Sequence, residues 1–468
     1  MTLPTATNPA SILPPPPPID YAPLGKRPWS IGEIISWVVI LLMVFAIATY
    51  VAVSQLKSSR ASPSDMQIKF VTQYMVGAKG LSPSQVAPYK SMLMGDIDKE
   101  ARTPDDQFRA AMAAGELIDT DEALKRMDTL AGVAPELAQD AGVARAIYAH
   151  EPVDDARWSA FHDKYGWFAE LAQSNGKPDA DPQRAGVLNS GYRVVITTVV
   201  ALMAIALLGF VGLGLLILGI VLWSKGRIRM AFSPAQIPGT TAPLADRRLY
   251  VQGFAIYLFC MMTFGYGMRF IFGKSPITLW MEVIPLTIAF ALGIGWPLFF
   301  GQGVAEWRAT FGFHRGRGFF REVGSGLVGY LAGLPIVAIG FFATAILIKI
   351  TGINASHPIN QVLGGSWLDV LAAFVLAAIL APIMEESMFR GALFAHLREH
   401  FGWWISAPTV GVIFAIIHPQ GWVALPVLGS IGFVFCGIRE WRGSIIPSMA
   451  AHAFHNTIAL LVALALFR

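Results

Sequence analysis

Charge is scarce in this sequence. Only 14% of its 468 residues are Asp, Glu, Lys or Arg, while 54% are hydrophobic and the mean hydropathy is +0.53. A soluble globular domain carries about 25% charged residues, so composition excludes an ordinary soluble protein and makes a bilayer part of the solvent. Cysteine is nearly missing too. The two present, Cys260 and Cys436, both fall in apolar stretches, which leaves no disulfide framework and no cysteine-based metal site. A large net charge is also lacking: 35 basic against 31 acidic residues leave +4. That gives no case for nucleic-acid binding, and in a membrane protein basic residues mainly report loop orientation.

What is present falls into blocks. Residues 1–30, including SILPPPPPID, have no packed periodicity and read as a disordered, proline-rich tail. The first apolar stretch starts near residue 31 and is too long for a cleaved signal sequence. It opens on Ser30-Ile-Gly-Glu33, a capping-box pattern, and makes 31–54 the first transmembrane helix. Residues 55–192 then turn dense in Asp, Glu, Lys and Arg with apolar residues at helical spacing, as in DDQFRAAMAAGELIDTDEALKRMDTLAGV, and read as a soluble, mainly helical insert. Apolar spans resume at 194–223, 250–273, 279–301, 325–349, 367–395, 403–418, 421–438 and 444–467. The expected architecture is therefore all-α: a polytopic bundle of about nine spans, with 193–350 as bundle helices and 351–468 as the region that carries the chemistry.

Lys26 and Arg27, the loop with Lys225, Arg227, Arg229, Arg247 and Arg248, and the loop with Arg308, Arg315, Arg317 and Arg321 concentrate the short-loop positive charge. The positive-inside rule then puts the N-terminus in the cytoplasm and the insert outside it. The uncharged loop TGINASHPINQVLGGS also falls outside, and Arg439 and Arg442 fall inside.

An ionisable side chain inside a span costs about 2.5–3.5 kcal/mol on insertion scales and marks function by default. Such residues cluster late in the chain. In APIMEESMFR, Glu386 and Arg390 are four apart with the acid first, the spacing of an intrahelical salt bridge. Glu385 points about 100° away with no partner at that spacing, and a lone desolvated carboxylate suits general-base or general-acid work. Pro382 removes a backbone donor and is expected to kink the helix beside the carboxylates. Phe414 and His418 are again four apart, so the phenyl ring can pack beside the imidazole, and Pro419 ends that helix. His452 and Asn456 share a face one turn apart, with His455 either near that face or in packing. Each piece alone has a structural reading, as a salt bridge or a hydrogen-bonded packing histidine. Together, a carboxylate, imidazoles and a carboxamide make the parts for activating water and binding an oxyanion. No serine or cysteine stands in a nucleophile pattern with them, which favours direct attack by water.

Glu385-Glu386-Ser-Met-Phe-Arg390, Phe414-Ala-Ile-Ile-His418 and His452-Ala-Phe-His-Asn456 resemble, in order, the EExxxR, FxxxH and HxxxN motifs of the CPBP family of CAAX-type prenyl-protein endopeptidases and bacteriocin-processing proteins. The likeness covers about 367–467. It implies an intramembrane glutamate-type endopeptidase whose site opens to the cytoplasmic side of a cell membrane, acting on a protein or peptide substrate, prenylated or not. It implies Glu385 and His418 as the water-activating pair, His452 and Asn456 as oxyanion donors, and Glu386, Arg390 and Phe414 as support. The family is regarded mostly as metal-free; zinc held by the glutamate and two histidines is the alternative cofactor, although no HExxH pairing is present. A proton-coupled transporter and a catalytically idle immunity or scaffold protein are the rival readings. The first lacks an internal repeat to support it, and the second predicts damaged motifs where all three are intact.

Overall fold

The computed structural model describes residues 28–58, 65–228, 230, 232, 247–272, 279–353 and 366–467. The proline-rich tail, Lys26, Arg27, Arg229 and most of the uncharged loop after residue 353 lie outside the described residues. Those described are helical, with no strand among them.

The first helix, Ile31–Ser58, begins as its sequence requires. The Ser30 backbone N–H and hydroxyl donate to Glu33 Oε2 at 2.7 and 2.9 Å, and the Glu33 N–H donates back to Ser30 Oγ at 3.3 Å. One stripe of this helix, Ile40 and Val44, packs with Tyr250, Phe254, Met388, Phe389 and Phe414 in a shared core, while Leu41, Leu42 and Phe45 are exposed as lipid-facing side chains are. The first span is thus part of the bundle that carries the motifs.

The insert is a set of short helices around its own core, in which Phe108, Leu117, Met127, Leu137, Phe161 and Phe168 are all buried. Thr103, Asp119 and Asp154 cap its helices by accepting backbone N–H bonds. Glu116 ties three of its helices together: Lys79 Nζ donates to Oε1 at 2.7 Å, and the Arg184 guanidinium bonds both oxygens at 2.6 and 2.9 Å. The insert then passes into the membrane without a joint. Pro182–Ser224 is one helix of 43 residues, about 65 Å long. Its first turns bury Val187, Leu188 and Gly191 against the insert, and its later turns expose Leu202, Leu207 and Phe210.

Among the described residues, six helices are long and apolar enough to cross a bilayer: Ile31–Val53, Pro182–Ser224, Phe319–Thr351, Trp367–His400, Trp422–Arg442 and Ile446–Leu466. Each of the nine expected segments is helical, and six of them meet that measure among the described residues. Arg248–Phe272 is not among the six, and Val283–Phe299 and Trp403–Ile416 are shorter apolar helices. At 14 residues Trp403–Ile416 is about 21 Å long, well short of the ~30 Å hydrocarbon core. It pairs closely with Leu425–Arg442. A Cβ on Gly411 would stand 2.7 Å from the Gly429 carbonyl oxygen, so only glycine permits this approach.

One end of the bundle is ionic. Arg398 bonds Glu440 through two nitrogens at 2.9 and 3.0 Å, and Arg442 bonds Glu322 through two at 2.6 and 2.9 Å. These pairs bring the end of the 367–400 helix, the end of the 425–442 helix and the start of the 319–351 helix to the same level. Trp403 leaves from that level, so the 403–416 helix enters the bundle there and stops inside it.

Candidate active site

The 367–400 helix is not a uniform α-helix. It widens into π-helical turns at Leu376–Leu380 and Ser387–Leu393, with Ala381–Glu386 between them. π-turns are rare and collect at functional sites. The first has a visible cause in Pro382, which has no N–H to give. The Ala381 N–H bonds to the Leu376 carbonyl, one residue further back than in an α-helix, and in that register the donor for the Ala377 carbonyl would be Pro382. Asn456 supplies it instead: its Nδ2 donates to the Ala377 oxygen at 2.7 Å. The expected kink at Pro382 is thus a widened turn in a continuous helix.

Glu385 and Glu386, on this central segment, go to different partners. Glu386 is fully buried, and its Oε1 accepts from Arg390 at 2.8 Å and lies 3.0 Å from His452 Nδ1. Arg390 is also fully buried. It donates to the Gly432 carbonyl at 3.0 Å, and its guanidinium lies 4.8 and 5.1 Å from the Phe414 and Phe435 rings. The salt bridge read from the sequence is therefore present, with a third member, His452, that helix spacing did not show.

Glu385 is the partly exposed member. Its Oε2 lies 3.7 Å from His418 Nε2 and 3.9 Å from His452 Nε2, and no protein hydrogen bond reaches it. The partner absent on its own helix comes from two others. His418 Nδ1 is held by the Phe414 carbonyl oxygen, and its ring packs on the Phe414 ring with centroids 4.2 Å apart. Both imidazoles thus spend Nδ1 on a fixed partner and turn Nε2 toward one carboxylate oxygen. Because the 403–416 helix ends inside the bundle, His418 reaches the level of Glu385, which stands near the middle of its own helix.

Asn456 and His455 each have a partner of their own. Asn456 Nδ2 is committed to Ala377 rather than aimed beside His452. His455 turns away from the carboxylates, its Nδ1 2.7 Å from the Tyr330 hydroxyl. For zinc, the natural donors would be Glu385 Oε2, His418 Nε2 and His452 Nε2, but they are not drawn to within 4.8 Å of one another. As arranged, the three donors are spread wider than a shared zinc ion would hold them. The sequence reading also passed over His396 and His400, although H-x-x-x-H spacing on one helix face was there to be seen.

Comparison with known families is decided by this segment. Residues 367–458 match the family described as Type II CAAX prenyl endopeptidase Rce1-like. This stretch is an Rce1-like domain. The match is consistent with the CPBP resemblance and contains all three motifs. An uncharacterized 24.3 kDa protein of Escherichia coli is 28% identical over 97 residues, which are 20% of this chain and 45% of that protein. The likeness thus spans under half of the curated relative. No solved structure matches. An Rce1-like domain together with several long apolar helices makes this a multi-pass membrane protein.

Proposed function

We propose that this protein is an intramembrane endopeptidase that hydrolyses a peptide bond with water activated by Glu385 and His418. The observation that carries this reading is the convergence of two fixed imidazoles on a carboxylate oxygen that no protein donor occupies. Separations of 3.7 and 3.9 Å exceed a direct hydrogen bond, and a water can bond to both Glu385 Oε2 and His418 Nε2. Glu385 takes a proton from that water as its oxygen bonds to the scissile carbonyl carbon. The carbonyl π pair moves onto oxygen, opposite His452 Nε2, which stabilises it when protonated. Collapse breaks the C–N bond, and the proton held by Glu385 passes to the departing amine, leaving a carboxylic acid and an amine. The Glu386–Arg390 pair holds His452 through Nδ1, and Asn456 acts by fixing the π-turn that precedes the segment bearing Glu385.

The substrate class favoured by the Rce1-like match is a membrane-associated protein or peptide with a prenylated CAAX terminus. The short-loop charges favour an orientation with the N-terminus and the ionic end of the bundle in the cytoplasm and the insert outside it. The test is cleavage of prenylated and unprenylated CAAX peptides by the full chain in liposomes. Glu385→Gln and His418→Ala should each lower cleavage by 10²–10⁴-fold, the usual contribution of general acid–base catalysis. Cleavage that survives Glu385→Gln unchanged would end this reading.

A further inference from the structure

Eleven residues beyond Glu385, about 16 Å along the same helix, a second group of side chains converges that the proposed chemistry does not use. Glu33, in the first turn of the first span, is fully buried; His396 and His400 stand one turn apart at the end of the 367–400 helix, His396 buried and His400 half-buried. One ligand atom from each lies within 4.8 Å of the others, a spacing that no other His, Cys, Asp or Glu group of three meets among the described residues. The two oxygens of Glu33 divide their duties. Oε2 takes the cap bonds from Ser30 and faces Arg248 Nε at 3.8 Å, while Oε1 faces His400 Nε2 at 3.3 Å and His396 Nδ1 at 3.9 Å. Aromatic rings close the surroundings. Trp29 lies 5.1 Å from the His400 ring, and Trp37 Nε1 donates to His396 Nε2 at 3.3 Å.

We propose that Glu33, His396 and His400 form a divalent-metal site of the zinc class that clamps the first span to the helix carrying Glu385. Zinc takes imidazole and carboxylate ligands at about 2.0–2.2 Å, and the edge of such a tetrahedron is about 3.4 Å. Glu33 and His400 already stand at that edge length, 3.3 Å apart. The His396 Nδ1 to Glu33 Oε1 edge must close by roughly half an ångström, and a water completes the four-coordinate set. The cap bonds from Ser30 hold the carboxylate from its other oxygen, the arrangement in which an outer partner orients a metal ligand. A neutral imidazole that binds metal through Nδ1 carries its proton on Nε2, where Trp37 now donates. Loading through His396 therefore displaces the Trp37 indole, and this gives the site an optical signature.

The experiment uses the full chain in detergent, stripped with a chelator and titrated with Zn²⁺ or Co²⁺, with bound metal and tryptophan fluorescence as readouts. One equivalent should bind to the wild type and to the Glu385→Gln/His418→Asn double variant, with affinity at least tenfold weaker in Glu33→Gln and His400→Asn. No bound metal in the wild type would overturn the proposal, and so would metal lost in the double variant but kept in Glu33→Gln. Should Glu33→Gln not fold, Co²⁺ titration of the wild type against Trp37→Phe decides. A fluorescence change on binding that is missing in Trp37→Phe supports the site, and one identical in both proteins overturns it.

Discussion

Glu386 Oε1 and His452 Nδ1 stand 3.0 Å apart on two different helices, and Arg390 holds the same carboxylate oxygen at 2.8 Å. One buried oxygen therefore anchors a guanidinium and orients an imidazole whose other nitrogen faces Glu385. Removing it should be felt twice. Glu386→Ala leaves Arg390 buried without its anion, and breaking a buried pair from one side costs about 3–5 kcal/mol. Glu386→Gln keeps the shape and removes the charge. It should melt closer to the wild type than Glu386→Ala, as measured by thermal unfolding in detergent, yet cleave at least tenfold more slowly.

Asn456 and Pro382 should be energetically coupled through a carbonyl neither of them owns. Asn456→Ala leaves the half-buried Ala377 oxygen without the side-chain donor it has at 2.7 Å, a loss of about 1 kcal/mol. Pro382→Ala restores a backbone N–H that can bond there. A double-mutant cycle read by thermal unfolding should show Pro382→Ala offsetting part of the Asn456→Ala loss. Strict additivity would mean that the π-turn has another cause.

Acid should loosen the insert through Glu116. Burial raises its carboxyl, but the bonds from Arg184 and Lys79 outweigh burial and hold it below its ordinary value of 4.5. A carboxyl lowered in the folded state contributes stability above its unfolded value, and that stability is lost as pH falls through the folded one. Unfolding of the insert, followed by hydrogen exchange, should become easier as pH drops below about 4.5. Glu116→Gln should flatten that dependence.

The approach of the 403–416 and 425–442 helices should tolerate no added atoms at Gly411, where a Cβ meets the Gly429 carbonyl oxygen at 2.7 Å. Gly411→Val should push the two helices apart and move His418 from Glu385. It should lower cleavage at least tenfold while Gly214→Val, which meets nothing within 4 Å, leaves cleavage near wild type.

The all-helical membrane character, the helical insert and the Ser30–Glu33 cap were legible because each depends on local patterns of charge and spacing. So was the Glu386–Arg390 pair, which lies within one turn. Spacing along one helix does not show what two distant segments make together; only the motif resemblance paired Glu385 with His418. Helix spacing left Glu385 without a partner because His418 and His452 arrive from other helices, and nothing local shows that Pro382 strands the Ala377 carbonyl that Asn456 reaches. Span number is less legible than helicity: hydropathy reads 403–418 as apolar, and Pro419 marks its end, but the helix there has only 14 residues.

The unbroken helix from Pro182 to Ser224 has a mechanical consequence. It is a stiff lever about 65 Å long, one arm set in the insert and the other lying against the 319–351 helix. Its contact there is tight, since a Cβ on Gly212 would stand 2.3 Å from the Leu331 carbonyl oxygen. A tilt of 5° about that point would carry the Pro182 end, about 45 Å away, through roughly 4 Å. The 319–351 helix packs in turn on the helices bearing Phe435 and His452. Force applied to the insert thus has a rigid route to the helices that surround Glu385.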